Sequence, residues 1–141
     1  MNRYRQLVII CSAIAMSLVM VNVVLTVLLA SGSPPPKTSL PQAASLGLFA
    51  LSLVLLVSAP AVQRAVLKRY EAEGDPGALA AGYWTAVLAA FALREAAGLL
   101  GFILALLTGN PWWSWGLGGA ALIAMVMDRP RRAMLGDQEP K

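Results

Sequence analysis

The chain has 141 residues, enough for one domain in water or a small helical bundle in a bilayer. Apolar residues make up 58% and charged residues 13%, against roughly 25% charged in soluble domains, and mean hydropathy is +0.68, more apolar surface than a soluble fold of this size can hide. The absence of histidine and the single cysteine, Cys11, exclude an internal disulfide, a Cys/His zinc site and haem held by such ligands, while the net charge of +4 lacks the basic, aromatic-interleaved tract of a nucleic-acid binder.

Leu7 to Ala30 is an unbroken apolar run. As a helix it rises about 36 Å, enough to cross a hydrocarbon core of roughly 30 Å with some tilt. A signal-peptide core holds only about 7–15 apolar residues, so this run reads as an uncleaved anchor. Cys11 within it is a small packing residue. Asn22, with Ser12, Ser17 and Thr26 nearby, calls for an interhelical hydrogen bond.

Ser31 to Gln42, with Pro34-Pro35-Pro36 and Pro41, forms a short, stiff loop. The second span covers 43–62, with Pro60 in its last turn placed to kink or end it. The charged stretch from Gln63 extends that helix into water until Gly74 breaks it. Asp75-Pro76 then supplies an N-cap and first residue for a third helix, whose span covers 82–107. Thr108-Gly109-Asn110-Pro111 is a tight turn into the fourth span, 112–127. Trp112, Trp113 and Trp115 mark its outer interface, and Asp128-Arg129-Pro130-Arg131-Arg132 closes its inner end. Residues 128–141 form a loose cytoplasmic tail.

Positive charge sets the direction. Arg3, Arg5, Arg64, Lys68, Arg69, Arg129, Arg131, Arg132 and Lys141 fall on one side, and Lys37 alone on the other. The expected architecture is therefore all-α: an integral membrane bundle of four transmembrane helices, two antiparallel hairpins, with both termini cytoplasmic.

Arg94 and Glu95 are the only charges deep inside an apolar run. A charge at the bilayer centre costs about 2.5–3.5 kcal/mol on insertion scales, which makes both candidates for function. Adjacent on a helix, they point about 100° apart and need separate partners. Folding the second hairpin about its turn brings Asp128 level with Phe91, one turn from Arg94. Three readings follow. Arg94 pairs with Asp128 or reaches headgroups while Glu95 meets Arg129 or Arg131; or the two dock a charged group on another membrane protein; or Glu95 carries a proton or cation. Small residues add a second pattern: Ala97, Gly101 and Ala105 recur at four-residue spacing on the third helix, and Gly116, Gly119, Ala120 and Ala124 lie on the fourth. Such faces let helix backbones approach closely in lipid, within this hairpin or against a partner.

The segment Phe91-Ala92-Leu93-Arg94-Glu95-Ala96-Ala97-Gly98-Leu99-Leu100-Gly101 is similar to the carboxyl-bearing helix of rotary ATPase proteolipids, where the residue matching Glu95 carries the ion. The likeness covers one helix. The chain lacks that family's regularly spaced glycine helix, and its glutamate lies on the third helix, which marks a lookalike. Glu95 in its Ala/Gly setting, Leu106-Leu107-Thr108-Gly109-Asn110 and Arg129-Pro130 together resemble an uncharacterised group of small four-span bacterial membrane proteins. That resemblance covers roughly the second half and implies a four-helix fold and a bacterial inner membrane.

No acid–base or nucleophilic constellation is present, so no enzyme activity, cofactor or metal is expected. The expected role is an accessory or assembly subunit of a larger membrane complex, partnered by lipid and by other subunits or itself. The alternative is an oligomeric proton or ion conduit, or small transporter, using Glu95.

Overall fold

A computed structural model describes residues 3–31, 41–72, 75–128 and 130. Among these residues the secondary structure is all-helical: α1 (Arg3–Ala30), α2 (Gln42–Glu71), α3 (Pro76–Thr108) and α4 (Trp112–Met127). The first three are long and apolar enough to cross a membrane, and α4, with 16 residues, is shorter.

Local chemistry sets the helix ends. Asp75 is extended (φ −94°, ψ 126°), and its carboxylate accepts from the Ala78 amide at 3.0 Å, with Pro76 following as first residue. Gly109 closes α3 with φ 67°, a left-handed conformation that glycine adopts without a Cβ penalty. Asn110 Oδ1 accepts from the Trp112 amide at 3.1 Å, and the Pro111 carbonyl accepts from Ser114 and Trp115, both at 3.1 Å. The turn thus satisfies the first amides of α4.

Pro60 neither ends nor caps α2, which continues to Glu71. A proline removes one amide from the ladder and crowds the preceding turn. The following Ala61 to Glu71 segment is rich in Ala, Gln, Arg, Leu and Lys, which favour helix and carry it past the defect.

Helix α3 is the centre of the bundle and packs against α1, α2 and α4, while α1 also touches α4. The main core lies among α1, α3 and α4: Leu7, Cys11 and Leu18 meet Val87 and Phe91, with Ala121 and Met125 completing it. Helix α2 leans on another side of α3 and buries only Ser52 and Ala59 fully. Its inner part covers Gly82, where any Cβ would overlap the Tyr70 side chain. Nearer the other end, the Phe49 ring meets that of Trp113 edge-on, centroids 5.3 Å apart.

Candidate functional site

The turn after α3 folds α4 back antiparallel, so positions equidistant from the turn come level. That register carries Asp128 to Arg94, and the two form an ion pair through Arg94 Nη2 and Asp128 Oδ2. The arginine side chain is only 3% exposed and the aspartate 42%. The guanidinium carbon lies 6.0 Å from the Phe91 ring centroid, over its face, an arrangement the ring quadrupole favours. Arg94 Nε and Nη1 are buried with no hydrogen-bond partner among the described residues.

Glu95 faces α1 instead. The Ser17 hydroxyl lies 2.6 Å from Glu95 Oε1 and 2.8 Å from the Ile14 carbonyl, donating to both acceptors. Arg129 and Arg131, the partners expected for Glu95 from sequence, lie outside the described residues. Two neighbouring charges therefore face two different helices, as their angular separation demands.

A second polar group lies toward the other end of α1. Ser114 donates to Asn22 Oδ1 at 2.6 Å, and Asn22 Nδ2 donates to the Leu18 carbonyl at 2.8 Å. Thr26 donates to the Asn22 carbonyl at 2.8 Å and accepts from Trp115 Nε1 at 3.2 Å. The amide of Asn22 thus ties α1 to α4. Sequence alone pointed to Asn22 but not to Ser114, which lies 92 positions away with no pattern marking it.

The small residues divide into two groups. Ala97, Gly101 and Ala105 are buried within the bundle. A Cβ on Gly101 would lie 2.7 Å from Leu117 Cβ and 2.9 Å from the Trp113 carbonyl oxygen, so α3 and α4 touch there nearly backbone to backbone. Gly98 presses on Leu18, and Gly118 on the Asn22 amide, at 2.7 and 2.8 Å by the same measure. Gly116 and Gly119 differ: a Cβ at either meets nothing within 4 Å.

A cavity of about 400 Å³ opens between α1 and α4 beneath these contacts, lined by Tyr4, Val8, Ser12, Phe91, Met125 and Pro130 among others. Among the described residues no group of His, Cys, Asp or Glu could hold a metal ion.

Fold and site together define a class, an all-helical chain with at least three membrane-length apolar helices and a buried ion pair. No family model, curated protein or solved structure matches it.

Proposed function

We propose that this chain is a non-enzymatic membrane protein of four spans, both termini cytoplasmic, serving as an accessory or assembly subunit of a larger bacterial inner-membrane complex. The observation that carries the reading is the outer face of α4. Trp112, Gly116, Gly119, Ile123 and Met127 follow one another at three- and four-residue steps, and Trp112 and Met127 are 78% and 79% exposed. Two glycines in mid-stripe, with open space where each Cβ would stand, form a shallow slot between bulky neighbours. A transmembrane helix of another subunit fits such a slot, because small residues let backbones approach. The loops are too short for a separate recognition domain, which leaves helix faces as the recognition surface.

The test is purification in a gentle detergent, with native mass and copurifying proteins compared between the wild type and Gly116→Leu. A larger membrane protein held at fixed stoichiometry and lost in the variant, with the bundle still folded, supports the reading. Retention of the same partner by Gly116→Leu and Gly119→Leu sinks it.

The half-buried Glu95, hydrogen-bonded to Ser17, favours a second reading as an oligomeric proton or ion conduit. Purification of a lone particle of several copies directs the test to conductance after reconstitution. Near-normal conductance in Glu95→Gln excludes that reading.

A further inference from the structure

The α1–α4 groove and the buried Arg94 are unused by the subunit reading, and they adjoin. The groove wall is mostly apolar, with Val8, Ala15, Phe91 and Val126 among its residues. It opens outward between Ser12 and Val126, both exposed. In a bilayer, an apolar groove with an open side admits acyl chain in preference to water, which needs several polar partners to stay. At one end of the groove Tyr4 stands between the exposed Arg3 and Arg5 on the first turn of α1. At the same end Pro130 follows closely on Asp128, the partner of Arg94.

Arg94 lies behind the groove wall: its guanidinium rests on the ring of Phe91, which lines the cavity. Only Nη2 reaches Asp128, so a cation that is 97% buried keeps two N–H groups without acceptors among the described residues. Buried donors to hydrocarbon are costly, and a guanidinium fork matches phosphate oxygens two at a time.

We propose that the groove is a binding site for one anionic phospholipid, with an acyl chain along Val8, Ala15 and Val126 and the phosphate accepting from Arg94 Nε and Nη1. Asp128 stays on Nη2, and its charge, balanced by Arg94, leaves Arg3 and Arg5 to favour an anionic over a zwitterionic headgroup. This site is distinct from the outer face of α4 and stands whether or not that face holds a partner.

The test uses the full chain reconstituted in equal parts phosphatidylglycerol and phosphatidylcholine, extracted gently, with retained lipids counted by native mass spectrometry. One phosphatidylglycerol should be kept in preference to phosphatidylcholine. Ala15→Phe, which fills the groove and leaves the ion pair intact, should lower that retention about tenfold, as should Arg94→Gln where it folds. Equal retention of the two lipids, or retention unchanged in Ala15→Phe, overturns the proposal. Inorganic phosphate is the control for a free anion: if it displaces the lipid completely at millimolar level, Arg94 recognises phosphate alone and the acyl groove has no part.

Discussion

A guanidinium 3% exposed is held by a carboxylate that is 42% exposed, so the partners of the Arg94–Asp128 pair have unequal stakes. Removing the carboxylate strands a buried cation, which costs about 3–5 kcal/mol for a fully buried pair. Solvent and headgroups already reach Asp128, so Asp128→Ala should cost less, about 2–3 kcal/mol. The double substitution Arg94→Leu/Asp128→Leu removes both charges and should recover most of the loss. Thermal unfolding in one detergent checks the two variants side by side, and a double variant as unstable as the single would refute the stranded-charge account. The amide bridge invites a smaller estimate. Asn22 and Ser114 share one interhelical hydrogen bond at 2.6 Å, and such bonds in membranes average about 0.6 kcal/mol with a maximum near 1.7. A double-mutant cycle on Asn22→Ala and Ser114→Ala should return a coupling in that range, and a coupling of zero would mean the bond adds no stability.

Helix ends and helix faces differ in how far local sequence determines them. The Asp75-Pro76 start and the Gly109-Asn110-Pro111 turn are written in neighbouring residues, because caps and turns depend on local backbone chemistry. The register of α4 on α3 followed from that turn, and with it the approach of Asp128 to Arg94. Helix α2 was harder, because Pro60 looks like a terminator, yet whether a proline ends a helix depends on what the next eleven residues favour. Which faces meet was less legible still. Helices α1 and α2 are apolar nearly all round, so no stripe tells the side that packs from the side that meets lipid. The Ser17–Glu95 bond spans 78 positions and leaves no periodic trace. Packing now separates glycines that sequence treats alike. Gly101→Leu must push Leu117 and the Trp113 backbone aside, and overpacking of this kind costs about 1–3 kcal/mol or more. Gly116→Leu enters open space and should leave unfolding unchanged within about 0.5 kcal/mol. Similar losses in both variants would mean that α4 packs by a different face.

At the scale of the whole molecule, three membrane-length helices establish how the chain can meet a bilayer, and charge argues which way it points. Helix α4 rises only about 24 Å from its tryptophans to Asp128, close to the thickness of the hydrocarbon. The Arg94–Asp128 pair therefore belongs at one interface and the tryptophans at the other. Nine basic residues gather at the Asp128 side against Lys37 opposite, an imbalance that fixes orientation during insertion. Cys11, the sole cysteine, is 4% exposed, so the native chain gives a low background for thiol labelling. In intact cells, a membrane-impermeant maleimide should label Lys37→Cys and leave Arg69→Cys unlabelled until the inner membrane is opened. Charge also makes the orientation adjustable. Replacing Arg64, Lys68 and Arg69 by glutamine while adding lysines beside Lys37 weakens the bias, and a fraction of chains should then show Lys37→Cys protected and Arg69→Cys labelled. Labelling of Arg69→Cys in intact cells carrying the otherwise natural sequence would reverse the topology and move the ion pair to the outer leaflet.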